Sequence, residues 1–375
     1  MKFELENYRT PGQLISALIN EKGWNGRVLS GILQIDESGV NRLIQDKKPV
    51  TAQLALVLED IFSVPAEDFL KLQVDFDLAK ARIKALPDPD REARAKLFGS
   101  LPIAEMINRG WLNVENKKDF PKIESELLKF FNVKNLDEIT YIAHSAKKTN
   151  SAEIASETQL AWVNRVKAIA SELLVAPFSI EKARQAEEQL KSLLFSPEEI
   201  RKVPRILAEA GIRFVIVEAL KASKMDGVCL WLNNNSPVIG MSLRFDRIDN
   251  FWFVLRHELE HVIQGHGKLV PKIDVDIDLN TIDEEEKIAN NASLEFCIPK
   301  KKLDSFIARK APFFSDLDIR GFANTLKIHP GLIAGQLQFH TKKYNLFRKH
   351  LVPIKDIVLP NAAVDGWGDV YPLDD

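Results

Sequence analysis

The stretch Trp252 to Gly265, WFVLRHELEHVIQG, sets two histidines and two glutamates in the middle of a run made otherwise largely of aromatic and aliphatic residues. At helical spacing His257 and His261 stand four apart and share one face. With Glu258 they spell H-E-x-x-H. Two imidazoles so placed can bind one Zn²⁺, and the glutamate after the first histidine can reach a water on that ion and act as its general base. The competing expectation is a pair of core histidines satisfied by hydrogen bonds. Glu260 falls on the other side of the helix, so Glu260→Gln is expected to cost neither metal nor activity.

A catalytic zinc site needs a third protein ligand and an open position. Only Cys229 and Cys297 are present among 375 residues, too few for a thiolate cluster, so a metal here must be held by nitrogen and oxygen. The third ligand is sought in DEEEKIANNASLEFCIP, about twenty-five residues further on. There Glu286 begins a helix on which Ala289, Ala292 and Ser293 are small enough for close approach to the histidine helix. Asn290 follows one turn later on the face of Glu286. Asp283 and Glu286 also satisfy a capping box, which would keep Glu286 at the surface, and Glu284 and Glu285 stand beside it as alternatives. Arg244, Arg247 and His329 are polar candidates for stabilising an oxyanion.

These residues must be positioned by the elements around them. IRFVIV (212–217), GVCLWL (227–232) and PVIGMSL (237–243) are β-rich runs bounded by turn signals, and they predict a small antiparallel sheet. Asp249 is expected to cap the histidine helix and Gly265 to end it. From 93 to 200 the pattern is helical and amphipathic. The tail, 301–375, reads as short helices followed by DGWGDVYPLDD.

The pair H-E-L-E-H and E-K-I-A-N-N-A-S-L-E-F-C-I-P resembles the ImmA/IrrE metallopeptidases, whose pattern is HExxH followed by E-x-x-A-N-x-F-A-x-x-L-L-M-P. The resemblance covers roughly 200–300. It implies a minimal zincin fold, a zinc ion on His257, His261 and Glu286, Asn290 behind them, and Glu258 as the base in peptide hydrolysis. The family's Phe-Ala pair is Ala292-Ser293 here, and its methionine before proline is Ile298.

The amino-terminal run LSGILQIDESGVNRLIQDKKPVT resembles the helix-turn-helix of HigA-type antitoxins. EDFLKLQVDFDLAKAR resembles that family's following segment. The resemblance implies that Leu29, Ile32, Ile35, Val40 and Ile44 are core. It also implies that Asp36, Glu37, Ser38 and Asn41 face bases, with Arg42, Lys47 and Lys48 near phosphates. Gln34 stands where such turns commonly carry glycine. Residues 1–100 hold 14 Lys and Arg against 15 Asp and Glu, and the whole chain has a formal net charge of −2. No overall positive field therefore recruits nucleic acid, and binding must rest on local geometry.

The expected architecture is α+β: a HigA-like helix-turn-helix domain over 1–85, a helical connector over 93–200, a zincin-like domain over 201–300 and a helical extension over 301–375. Two prolines in LPDPDRE (86–92) mark a linker. No apolar run approaches the ~20 residues that span a bilayer, and a cytoplasmic protein with no membrane association is expected. The expected function is a DNA-binding regulator of antitoxin type, homodimeric on its operator. It would carry a zinc-dependent endopeptidase that cuts a protein partner such as a repressor or a toxin. The alternative is a non-enzymatic antitoxin or repressor whose zincin fold is a structural or sensory module.

Overall fold

The computed structural model describes residues 5–84, 91–139, 155–275 and 283–372. The proline-bearing stretch predicted as a linker lies mostly outside them. The chain is mixed α+β and forms two compact units, Met1–Pro89 and Asp90–Asp375. No helix among the described residues is long and apolar enough to cross a membrane.

Among its described residues the first unit has a short 3-10 turn, Leu5–Asn7, and five α-helices: α1 (Pro11–Glu21), α2 (Gly26–Leu33), α3 (Glu37–Ile44), α4 (Ala52–Phe62) and α5 (Ala66–Lys84). The starts of the first four are written in the sequence. Thr10, Asn25, Asp36 and Thr51 each sit just before a helix in extended backbone, and their side chains accept from the backbone N–H of Gln13, Val28, Gly39 and Leu54. Leu14, Leu29, Val40, Leu43, Leu58 and Phe69 fill the core between them. One expected core residue is corrected: Ile32 is 42% exposed. The eight residues of α2 bury the face bearing Leu29 and Ser30, and Ile32 points to the other side. Gln34 takes the left-handed conformation at φ 53° and ends α2 by donating to the Ser30 carbonyl. A non-glycine residue there costs roughly 1–2 kcal/mol.

In the second unit the sheet has five strands and is mixed, not purely antiparallel. Its strands are β1 (Arg213–Val217), β2 (Met225–Trp231), β3 (Pro237–Met241), β4 (Lys272–Val275) and β5 (Ala363–Asp365), in the order β4-β2-β3-β1-β5. The chain leaves β1, forms β2 one position further out and returns as β3 between them, so β3 is antiparallel to β2 and parallel to β1. β4 joins β2 antiparallel, and β5 joins β1 parallel.

Every residue of β2 and β3 is buried, because helices cover both faces. Phe214, Ile216, Cys229, Ile239 and Met241 turn toward the helix Ile248–Gln264. Val215, Val217, Val228 and Val238 turn toward the helix Glu157–Glu172, whose Trp162 donates its indole N–H to the Val217 carbonyl at 3.0 Å. Part of the predicted connector thus packs directly on the sheet. The tail is also drawn in: Asp365 accepts from the Arg165 Nε at 2.6 Å and from the Trp111 indole at 3.0 Å, all three residues being buried. DGWG therefore begins at a buried ion pair that fixes the last strand.

Candidate metal centre

The histidine helix, Ile248–Gln264, is buried along nearly its whole length and ends at Gly265 in the left-handed conformation, φ 74°. Its start differs from expectation. The residue before the first turn is Arg247, and Asp249 lies inside that turn, where it pairs with the Arg247 guanidinium at 2.6 and 3.0 Å. The first backbone N–H, of Ile248, donates instead to the Val352 carbonyl at 3.1 Å, so no side-chain cap is required.

The helix Glu284–Cys297 is preceded by Asp283, whose side chain accepts from the backbone N–H of Glu285 and Glu286. Capping thus falls to Asp283 alone, and the Glu286 carboxylate is turned inward. Ala289 and Ser293, both fully buried, leave room between the two helices, and Asn290 is buried one turn beyond Glu286.

His257 Nε2 lies 3.1 Å from His261 Nε2 and 3.1 Å from Glu286 Oε2, while His261 Nε2 lies 3.2 Å from Glu286 Oε1. A fourth group enters that the sequence reading missed. Asp274, on β4, brings Oδ2 to 3.4 Å from His257 Nε2. One ligand atom from each of His257, His261, Asp274 and Glu286 lies within 4.8 Å of all the others, and all four residues are buried. The signal for Asp274 was faint: an acid alternating with β-branched residues in KIDVDID, on a strand of four residues.

These distances fit a metal. With zinc–ligand bonds of ~2.0–2.1 Å, tetrahedral donors stand roughly 3.3 Å apart, close to the 3.1–3.4 Å of the nearest pairs here, the others lying within 4.8 Å. The donor set is two imidazole nitrogens and carboxylate oxygens, which suits zinc. Several of its atoms, His257 Nδ1 among them, are buried without a hydrogen-bond partner among the described residues. Buried polar atoms are seldom left so unless an ion or water serves them.

His261 is oriented from behind. Its Nδ1 lies 2.9 Å from His266 Nδ1, and His266 Nε2 approaches Glu285 Oε1 at 3.8 Å, with Lys272 paired to the same carboxylate. Outer groups of this kind hold a ligating imidazole in the tautomer that presents its other nitrogen. His266 itself is held through its carbonyl, which accepts from the Trp231 indole at 2.8 Å.

Glu258 is fully buried against β2, opposite Gly227. A Cβ at Gly227 would stand 2.1 Å from Glu258 Oε1, so only glycine leaves space for this carboxyl. Gly227 is also the cross-strand partner of Asp274, beside a register shift between Met225 and Gly227, so both acids converge on the same gap in the sheet. Burial, and then the neighbouring Asp274 carboxylate, push the Glu258 carboxyl well above the usual range. Burial works against charge on His257, but Asp274 and Glu286 outweigh it and raise its pKa to about 10. Burial works against charge on Asp274 too, yet His257 holds it below the ordinary carboxylate range.

Glu260 points away from the cluster but is not an idle surface residue. It is 7% exposed and pairs with Arg256 at 2.8 Å, with Glu187 on the same guanidinium at 2.7 Å. Neutralising it weakens a buried ion pair, so Glu260→Gln is expected to cost stability even where metal and activity are kept. Arg244 and Arg247 are paired with Asp226 and Asp249, and His329 caps a helix by accepting from the Gly331 N–H. A cavity of about 380 Å³ begins one turn before His257, lined in part by Asn250, Phe253, Arg244, Phe245 and Phe339.

The residues expected to meet DNA lie in the first unit, around α3. Glu37, Asn41, Arg42 and Lys47 are exposed there, and Lys48 is half-buried. Asp36 and Ser38 are also exposed but engaged: Asp36 caps α3, and the Ser38 hydroxyl donates to it at 2.6 Å. Glu37 pairs with Arg27 at 3.4 Å. Comparison of the chain with protein-family models and with curated proteins returns no match.

Proposed function

We propose that the second unit is a zinc-dependent peptidase of the kind its resemblance to ImmA/IrrE enzymes implies. The observation that carries this reading is the convergence of His257 Nε2, His261 Nε2 and the Glu286 carboxylate at 3.1–3.2 Å, with the Glu258 carboxyl buried alongside. His257, His261 and Glu286 would hold the ion. When bound, zinc supplies a Lewis acid that polarises a peptide carbonyl and acidifies water. Glu258 takes a proton from the attacking water and returns it to the leaving amine. His266 keeps His261 in the tautomer that faces the ion. The cavity beside Phe253 is within the usual size of ligand sites and offers apolar walls to a substrate side chain.

The first unit supports the other half of the proposal, a helix-turn-helix module of the HigA kind. Its exposed α3 would read an operator through Glu37 and Asn41, with Asp36 and Ser38 at its start, while Arg42, Lys47 and Lys48 meet phosphates. The protein would then be a homodimeric regulator whose peptidase acts on a protein partner. The full burial of every acid and histidine in the cluster favours a second reading, in which the ion is structural or sensory and nothing is cleaved.

Glu258→Gln separates the two. It keeps all metal ligands, so zinc should stay near one per chain while cleavage of a peptide library falls by about 10²-fold or more. Cleavage by the variant at the wild-type rate would remove Glu258 from the mechanism. A wild type that binds zinc and cleaves nothing would favour the structural reading.

A further inference from the structure

We infer that Asp274 is a fourth protein ligand, so that the metal centre in this conformation is closed and must release Asp274 before it can take a substrate. This rests on the zinc part of the proposed function and is independent of whether a peptide is cleaved. Three observations support it. Asp274 Oδ2 stands 3.4 Å from His257 Nε2, the edge length of a zinc tetrahedron and comparable to the distances among the other three residues. Asp274 is 0% exposed, and its carboxylate faces only groups of the cluster itself, His257 and Glu258. A carboxylate buried in this way needs a positive partner, which is a protonated His257 without metal and would be the ion between the two imidazoles once His257 gives up its proton. Finally, Asp274 is the cross-strand partner of Gly227, whose missing side chain leaves the space that Glu258 fills.

Four protein ligands make a structural kind of zinc site, whereas three leave the open position that catalysis uses. Asp274 is what makes the difference here. It is carried by β4, a four-residue strand at the end of the sheet order, paired on one side to β2 and with no strand partner on the other among the described residues. The remaining ligand candidates ride on helices of 17 and 14 residues, with their own side chains fully buried. The ligand most easily withdrawn is therefore the one on the edge strand. An extended chain pairing with that edge, as peptide substrates do on exposed sheet edges, would act on the strand that holds Asp274.

The test uses the full-length protein loaded with cobalt(II) in place of zinc, with azide as the probe of an open position. The visible spectrum of the wild type should not change on adding azide, whereas those of Asp274→Ala and the milder Asp274→Asn should shift. Asp274→Ala should also bind the metal at least about 10-fold more weakly. A wild-type spectrum that responds to azide as strongly as the variants' would overturn the inference, since the position would already be open; this arm needs no variant to fold. Azide-silent variants that still bind cobalt would overturn it too, because something other than Asp274 would fill the position. Failure of the wild type to bind cobalt would overturn the zinc reading itself, and the inference with it. Absence of peptide cleavage, with the spectra as expected, would remove only the peptidase.

Discussion

In the proposed zinc site a proton and the metal ion would compete for the same place between His257, Asp274 and Glu286. With the metal removed, His257 carries its proton up to a pKa of about 10, far above the ordinary value near 6.5. A pKa raised on folding contributes stability that is fully present below the unfolded value and is lost as pH rises through the folded one. Glu258, raised in the same direction by burial, adds to the trend. The metal-free protein should therefore lose on the order of a few kcal/mol of stability between pH 6.5 and 10, read as a falling midpoint in thermal unfolding. The zinc-loaded protein should not, because ligands must be deprotonated to bind. Zinc binding at pH 7 should accordingly release a proton, detectable by calorimetry in buffers of different ionisation enthalpy. Equal pH profiles with and without zinc would show that His257 does not face the ion. At this scale the sequence was legible where spacing encodes geometry. H-E-x-x-H on an apolar helix puts two imidazoles on one face whatever surrounds them. Asp274 was not legible, since an aspartate becomes a ligand only through the register that pairs it with Gly227.

Helices declared their limits better than strands did. Thr10 and Asp36 mark helix starts because capping is local chemistry, decided within four residues. The Asp249 cap failed because the histidine helix meets the Val352 carbonyl, a hundred residues away, and local rules cannot see that partner. β1, β2 and β3 could be read from their β-branched runs, but their order could not, as alternation says nothing about which strand lies beside which. β4 and β5 are too short, at four and three residues, to carry a pattern. β5 is fixed instead by the Asp365–Arg165 pair, and this gives a prediction at the level of the element. Asp365→Ala leaves Arg165 buried with its charge uncompensated and strips the Trp111 indole of its acceptor, so it should destabilise the second unit by ~3–5 kcal/mol. Its chemical-denaturation midpoint should fall accordingly. A midpoint unchanged from wild type would mean that β5 does not anchor the sheet edge.

The molecule as a whole carries a formal charge of −2, so the proposed binding to DNA would draw on no general positive field and would have to rest on one face of the first unit. Full-length protein should shift a fragment of its own promoter. Replacing Lys47 and Lys48 together by Ala should weaken binding to all sequences and reduce the slope of log affinity against log salt by ~1–2, whereas Asn41→Ala should relax discrimination among sequences. No shift at low salt anywhere in the promoter would leave the helix-turn-helix as a protein-contact module.

The claim on which the rest depends is that His257, His261 and Glu286 hold zinc, and metal content tests it most directly. Elemental analysis of the purified full-length protein should give close to one zinc per chain. Glu286→Gln should fall well below that, while Asp283→Ala, which removes only the cap of the same helix, should cost ~1 kcal/mol of stability and retain its zinc. A wild type without zinc, or a Glu286→Gln protein that keeps its full complement, would contradict the assignment.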